Sequence, residues 1–585
     1  MKFKKNYLLP VILLSGILAT YGASYMLKNT FWGHTPLYLL LGSWLVLSLS
    51  VFWKYQSTNE HLLYFLLSTA SGLILGKAFV YTSPLLCIGF IPLLYATYKL
   101  EQGSRIFMWA HFLYAFHAFM LWNILATYWV ANAALVPGLV AFILNSLFMC
   151  IPWLAAIWIG RKIKYLWLPA LIVFWISYEW GHHQWDISWP WLSLGNGFAF
   201  YPNWIQWYEY TGAFGGSLWA LSLNALGLYI LISKKLRLIL CFSAMLLLGI
   251  PIYISSSILK TTELNGESVE VAIVQPNYEP HFEKFSVDEN LQMIQFEKLS
   301  RNFISPHTKY LIWPETSFEY LEIGAFANDW RVIRMRDLCN MYGKMCLVTG
   351  LGTLRTFREG ETLSEAARPS NRGGPTKYFE IQNSAAQICG TGNDFPVYVK
   401  SKLVPGVETF PYRHLLPFLK PIVDKLGGSI YGLGKQKERS VFESDGLKIA
   451  PVICYESIYG AYVGEYIRKG AQAIFIMTND GWWDNTPGYR QHLYFGALRA
   501  IEYRRSIARS ANTGVSCFID AKGEIKDRTE YGKSTAIRNN IRFSNQETFY
   551  LKYGDFIVYI ALALSFLILM LGFGAILKVR FLKNQ

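Results

Sequence analysis

The sequence predicts two architectures in one chain: a multi-pass α-helical membrane half, and a layered α/β domain held outside the bilayer. Three observations predict this. Apolar segments follow one another with short gaps from Tyr7 to about Ser256. Lys and Arg gather in alternate connections between those segments. A stretch of mixed short strands and charged helices, from about Glu263 to Tyr553, then precedes one last apolar segment.

Each span follows from hydropathy, since a helix needs about 20 apolar residues to cross the hydrocarbon core. Spans are predicted at Tyr7–Met26, Pro36–Trp53, His61–Tyr81, Pro84–Tyr98, Phe107–Val130, Val136–Gly160, Tyr165–Trp180, Gly212–Ser233, Leu236–Ser256 and Phe556–Leu577. The organisation is a polytopic part over 1–258, an external domain over 263–553 and a closing membrane helix over 556–578. Lys2, Lys4 and Lys5 precede the first span and Lys54 follows the second. Lys99 and Arg105, then Arg161, Lys162 and Lys164, then Lys234, Lys235 and Arg237 fill every second connection after that, and Lys578, Arg580 and Lys583 close the chain. The intervening connections hold Lys28 alone, or no Lys or Arg at 131–135 and 181–211. Basic residues mark cytoplasmic loops, so both termini are expected inside and the α/β domain outside. The first segment also fits a signal peptide, and removing it leaves the other spans unchanged. The net charge of +15 is therefore read as topology, with no case for nucleic-acid binding.

In the external domain, strands are expected at Val269–Val274, Tyr310–Trp313, Met345–Gly350, Tyr378–Ile388, Val397–Val404, Lys448–Cys454, Ala473–Met477, Val515–Ile519 and Thr535–Ile541. Helices are expected at Leu291–Asn302, Asp329–Tyr342, Tyr459–Lys469 and Tyr489–Ser510. Such mixed elements form a layered α/β domain. The polar stretch Arg355–Lys377, rich in Gly, Pro, Ser and Arg, reads as a mobile insertion, either a passive surface loop or a gate over the site.

Five of the eight cysteines, Cys339, Cys346, Cys389, Cys454 and Cys517, lie in this domain without C-x-x-C spacing. An odd number in an oxidising compartment leaves at least one thiol free unless chains pair, and Cys454 is the candidate. The only His cluster, His182-His183, sits in a Trp-rich loop and gives no metal site; no cofactor is expected.

Cys454 ends the apolar run Lys448–Cys454, Glu315 ends Tyr310-Leu-Ile-Trp-Pro, and Lys400 follows Tyr398-Val. A lone strand-end cysteine is ordinarily an inert buried thiol. A carboxylate, an ammonium and a thiol, each at a strand end, instead make a base, a charge stabiliser and a nucleophile. A free thiol titrates near 8.5, so it needs such partners to react at neutral pH.

With Thr478-Asn-Asp-Gly-Trp-Trp483 following, this ordered set resembles the nitrilase superfamily, whose fold is an αββα sandwich. The polytopic half and closing helix narrow the resemblance to the apolipoprotein N-acyltransferase family, over about residues 60 to 580. Val274-Gln275-Pro-Asn, Leu403–Glu408, Arg499-Ala-Ile-Glu502, Arg509–Gly514 and Trp189–Gly195 support the narrower match. There are departures. The Gly of the Lys-proximal loop is shifted in Pro405-Gly-Val-Glu408, a Trp usual after Lys284 is Phe285, and the two leading spans are additional. Two added spans preserve the parity of the topology.

The resemblance implies Cys454 as nucleophile, Glu315 as base, and Lys400 with the backbone N–H of Tyr455 as oxyanion stabilisers. Glu408 would hold Lys400, Glu456 is a further carboxylate of structural or catalytic role, and Phe285 and Trp313 are substrate-contact candidates. It implies a membrane phospholipid, phosphatidylethanolamine by analogy, as acyl donor and the α-amino group of a lipoprotein's diacylglyceryl-cysteine as acceptor. The place implied is the bacterial inner membrane, with the catalytic domain on the periplasmic side. The Trp-dense loop Trp185–Trp207 suits the bilayer interface. One rival is a membrane-anchored amidase hydrolysing a small carbon–nitrogen substrate, for which ten spans are excessive. The other is a transporter, for which Lys77 and Glu179 are thin support.

Overall fold

The computed structural model describes residues 8–55, 59–103, 108–343, 345–370, 376–390, 395–412 and 431–583. Its first part is helical: α1 (Leu9–Lys28), α2 (Thr35–Tyr55), α3 (Asn59–Ala78), α4 (Ile91–Leu100), α5 (Met108–Thr127), the short α6 (Val130–Ala133), α7 (Leu135–Lys162), α8 (Trp167–His182), the short α9 (Tyr208–Thr211), α10 (Ala213–Ile232) and α11 (Arg237–Thr261). Among the described residues, eight helices are long and apolar enough to cross a membrane. Two further helices stand where spans are expected: α5 carries His111, His117 and Asn123 within its apolar run, and α8 has 16 residues. The expected span Pro84–Tyr98 falls within one of these eight, Ser83–Leu100, which starts as the 3-10 stretch Ser83–Cys87 and continues as α4.

The second part is a sandwich of two sheets. The first contains β1 (Glu267–Gln275), β2 (Tyr310–Glu322), β3 (Cys346–Thr356), β4 (Arg368–Ser370), β5 (Lys377–Cys389), β6 (Val397–Val399) and β13 (Thr535–Phe543), in the order β13-β1-β2-β3-β5-β4 with β6 beside β5. The second has the order β12-β11-β10-β9-β8-β7, from β7 (Phe442–Ser444), β8 (Leu447–Ile453), β9 (Ala473–Thr478), β10 (Ser506–Ala511), β11 (Cys517–Ile519) and β12 (Ile525–Lys526). Alternation along each strand builds the layers. Val271 and Ile273 point between the sheets toward Ile474, Ile476 and Ile507. Ala272 and Val274 point outward beneath Met293 and Phe296 of α12 (Glu289–Phe303), which pack there with Val332 and Met335 of α13 (Trp330–Asn340). Helices α14 (Gly460–Arg468) and α15 (Pro487–Tyr503) cover the other sheet, completing the αββα order. The chain ends in α16 (Phe549–Tyr553) and the long apolar α17 (Phe556–Lys583), which packs on α8.

Three expectations in the α/β domain need correction. The helix expected over Tyr489–Ser510 stops at Tyr503, because Arg504 takes a left-handed conformation with φ 49° and Ser506–Ala511 enters the sheet parallel to β9. The strand expected over Val397–Val404 ends at Val399, where the Glu456 carboxylate takes the Ser401 N–H at 2.8 Å. Arg355–Lys377 is not a mobile insertion as a whole: β3 runs to Thr356, Phe357 and Ala366 are buried, and β4 pairs with β5. Residues 371–375 of that stretch lie outside the described residues.

Buried polar groups lock the two parts together. Gln491 of α15 accepts from the indoles of Trp129 (3.2 Å) and Trp191 (2.7 Å) and donates to the carbonyls of Phe79 (2.8 Å) and Ala126 (3.0 Å). Arg504 reaches Glu209 at 2.6 Å and Gln206 at 2.7 Å. Trp191 is fully buried in this junction, so the Trp-dense loop does more than anchor at the bilayer surface.

A disulfide joins Cys346 of β3 to Cys389 of β5, directly opposite in the antiparallel register, and the other six cysteines are free. Closing its 43-residue loop restricts the unfolded chain by about 4 kcal/mol in the entropic account. Denatured protein should therefore titrate six thiols before reduction and eight after it. Cys389→Ser should lower the thermal midpoint, as a reductant does to the parent chain.

Candidate active site

The site begins at a break in β2. Between Trp313 and Phe318 the register against β3 shifts, and Thr316 has φ 47°. Glu315 sits in that break with 6 % of its surface exposed. The close approach of β3 there requires glycine: a Cβ on Gly350 would meet the Glu315 Cα at 2.6 Å and the Pro314 oxygen at 2.8 Å.

Lys400 follows β6 opposite Asn383 of β5, whose carbonyl takes the Lys400 N–H at 2.8 Å. Its Nζ lies 3.1 Å from Glu315 Oε1 and 2.7 Å from Glu408 Oε1. The Asn383 amide donates to the same two oxygens, at 2.8 and 3.2 Å. The second Glu408 oxygen closes its own loop on the Val404 N–H at 2.8 Å, with Gly406 turning at φ 79°. Burial alone would lower the Lys400 ammonium, but Glu315 and Glu408 hold it well above its ordinary range. It is a permanent cation.

Cys454 stands at the end of β8 with φ 47°, a left-handed conformation costing roughly 1–2 kcal/mol for a non-glycine residue. Several groups hold it there. His492 of α15 lies 3.1 Å from the Cys454 carbonyl oxygen through Nε2 and 2.9 Å from Asp480 Oδ1 through Nδ1. Arg509 reaches Asp480 Oδ2 at 2.5 Å. Glu456, fully buried, accepts from the hydroxyls of Tyr398 (2.6 Å) and Tyr462 (2.5 Å) and from the N–H groups of Ser401 (2.8 Å) and Ile453 (3.0 Å). It ties the strand under Cys454 to the loop carrying Lys400, which is a positioning role. Burial, then the Glu315 charge, push the Cys454 thiol well up while Lys400 pulls it down, so the resting group is the protonated thiol.

Above Cys454 lies a mainly apolar cavity of about 810 Å³, counting its open mouth. The membrane half supplies most of its walls, including Trp129, Val130, Pro137, Phe148, Trp189 and Trp191, and Val404, Tyr455 and Trp483 complete it. The Tyr455 ring stacks on Trp189 at 6.4 Å and its hydroxyl donates to the Ser188 carbonyl at 2.9 Å. Phe285 is 51 % exposed, does not line the cavity, and stacks on Trp482 at 6.3 Å. Trp313 does not belong to the site. It is fully buried beneath α12, against Phe296 at 4.6 Å, with its indole N–H on Ser300 Oγ at 3.0 Å. His182 is buried and His183 half-buried at the end of α8, and among the described residues no group of three or more His, Cys, Asp or Glu is placed to hold a metal.

The sequence reading missed Lys284, Asn383 and His492. Lys284 is buried and donates to the Glu315 carbonyl at 2.9 Å and Thr316 Oγ1 at 2.6 Å; burial first of all lowers its ammonium to about 8. Asn383 and His492 lie inside a strand and a helix, where an amide or imidazole gives no local signal.

Residues 270–543 match the carbon–nitrogen hydrolase family model, and residues 70–226 match the apolipoprotein N-acyltransferase N-terminal domain. The chain is 28 % identical over 522 residues to an apolipoprotein N-acyltransferase of Chlorobaculum tepidum, covering 86 % of this chain and 95 % of the relative. It is 25 % identical over 539 residues to that of Geobacter metallireducens, covering 87 % and 95 %. Among solved structures, an amidase of the nitrilase superfamily from Nesterenkonia AN1 overlays with a TM-score of 0.33 at 14 % identity, covering 50 % of this chain and 97 % of the amidase. By the family models, the α/β part is a carbon–nitrogen hydrolase domain carried on a membrane half. The chain belongs to the apolipoprotein N-acyltransferase family.

Two substitutions test the geometry. Gly350→Ala should displace Glu315 and lower turnover by about 100-fold, the effect expected of a misplacement near 1 Å. Burial alone would raise the Asp480 carboxyl, but Arg509 and His492 lower it from 3.8 to about 2. A depressed carboxyl stabilises the fold above pH 3.8 and loses that contribution as pH falls through about 2. Asp480→Asn should then cost roughly 2 kcal/mol at pH 7, read by chemical denaturation.

Proposed function

We propose that the protein transfers an acyl chain from a membrane phospholipid, phosphatidylethanolamine by family analogy, to the α-amino group of the diacylglyceryl-cysteine of bacterial lipoproteins, through a thioester on Cys454. The observation that carries this reading is the position of Cys454, with Lys400 and Glu315 beside it, on the floor of a cavity walled mainly by membrane-half side chains. An amidase acting on a small soluble substrate has no use for such walls.

In the first half-reaction the Cys454 sulfur attacks the ester carbonyl carbon as Glu315 accepts the thiol proton. Negative charge on the carbonyl oxygen meets Lys400 and the backbone N–H of Tyr455; losing one such donor costs about 3–4 kcal/mol in comparable sites. The carbon–oxygen bond breaks, and the departing lysophospholipid oxygen takes the proton from Glu315. In the second half-reaction the lipoprotein amine attacks the thioester and gives its proton to Glu315. The carbon–sulfur bond breaks and the proton returns to Cys454. One carboxylate serves both halves, and the kinetics are ping-pong.

The domain is placed on the periplasmic side of the inner membrane. The alternation of Lys and Arg between spans supports that placement, and so does the Cys346–Cys389 disulfide, a bond of oxidising compartments.

Enzyme mixed with phosphatidylethanolamine vesicles and no lipoprotein should gain one acyl mass on the Cys454 peptide, released by neutral hydroxylamine. Cys454→Ala should gain none, and Glu315→Gln should gain it at least about 100-fold more slowly. Hydrolysis of a small soluble amide, with no adduct from phospholipid and no transfer to a lipoprotein amine, would favour the amidase reading.

A further inference from the structure

Helices α1 and α2 lie ahead of both stretches that match a family model, 70–226 and 270–543. Their outer faces are apolar and exposed, as at Leu13, Leu14 and Ile17, as suits a helical hairpin in lipid. The connection between them behaves differently and reaches the catalytic domain. The Gly33 N–H donates to Asp484 Oδ2 at 2.9 Å, across 451 residues of sequence. Phe31 packs edge-on against Phe282, ring centroids 5.2 Å apart. Asn132 of α6 joins three elements: its amide donates to the Gly33 carbonyl at 3.0 Å and to the Trp483 carbonyl at 3.1 Å.

These contacts converge on the cavity above Cys454. Val130 and Ala133, on the helix that carries Asn132, line it, and so does Trp483. Trp483 packs on Trp129 at 4.7 Å. The next residue, Asp484, is left-handed with φ 54°, a conformation costing roughly 1–2 kcal/mol that needs outside contacts to persist. The Gly33 N–H is such a contact. Phe282 lies close in sequence to Phe285, whose ring stacks on Trp482, the neighbour of Trp483. The hairpin tip therefore braces the wall of the cavity from outside.

We propose that the tip of the α1–α2 hairpin is a specificity-determining part of the acyl site. By fixing Asp484 and Asn132 it sets where the Trp483 indole stands, and with it the length of acyl chain that reaches Cys454 in register. This inference rests on the acyl-transfer reading. It assigns the hairpin a positioning role, since none of its residues touches the reacting atoms.

The test uses the full-length enzyme in phosphatidylethanolamine vesicles of uniform short, medium or long acyl chains, reading the rate of thioester formation by intact mass. Asp484→Ala and Phe31→Ala, both at partly exposed positions, should change the ratio of long-chain to short-chain rates by about threefold or more. Asp484→Asn keeps an oxygen for the Gly33 N–H and should keep the parent ratio. Unchanged ratios in folded Asp484→Ala and Phe31→Ala would overturn the inference, and so would one uniform slowing at every chain length, which marks a merely structural brace. A parent enzyme that forms no thioester with any of the vesicles would count against the acyl-transfer reading itself; a parent that forms one while the variants keep its ratio counts against the hairpin alone.

Discussion

The burial of one ammonium group organises this catalytic domain. Lys400 has 1 % of its surface exposed, and a lone charge so placed would cost many kcal/mol. Its two carboxylates come from distant points in the chain, Glu315 in the break of β2 and Glu408 at the end of a loop closed on Val404. Asn383 donates to both, through the same oxygens that Lys400 binds. Removing one partner of such a buried pair costs roughly 3–5 kcal/mol, so the cluster constrains β2, β5, β6 and the loop after it together. The same constraint creates reactivity. A cation that cannot leave, beside a carboxylate that can accept a proton, is what a protonated buried thiol needs at its moment of attack.

A second constraint joins that cluster to the membrane half. The Gln491 amide uses both its oxygen and its nitrogen across the junction, and Arg504 is fully buried with Glu209 and Gln206 as partners. Removing one partner within the closed junction would leave these buried groups unsatisfied, at roughly 1–3 kcal/mol for each. The acyl cavity is therefore a property of the joined molecule, because neither half closes it alone.

How far the sequence foretold this depended on how local each signal was. The membrane helices were legible because hydropathy acts segment by segment. Glu315, Lys400 and Cys454 were legible because each ends an apolar run, and the structure brings all three to one place. Trp313 misled: it adjoins Pro314-Glu315 in sequence, yet the register shift in β2 sends Glu315 into the site and leaves Trp313 in the outer core. Ser506–Ala511 looked like the last turns of a helix, since only the left-handed Arg504, which no residue type announces, separates it from α15. Asn383 and His492 were invisible because their roles come from strand pairing and from packing over Cys454. The disulfide was likewise unannounced, arising from the register of β3 against β5.

The central claim is that the charge cluster performs the chemistry while the membrane half receives the chain. A structure of the enzyme trapped after reaction with phospholipid, before any lipoprotein is added, tests this most directly. The account predicts continuous density from the Cys454 sulfur into the cavity between Trp129, Phe148 and Trp191, with the thioester carbonyl oxygen toward Lys400. Density leaving Cys454 away from the membrane half, or a carbonyl oxygen turned from Lys400, would contradict it.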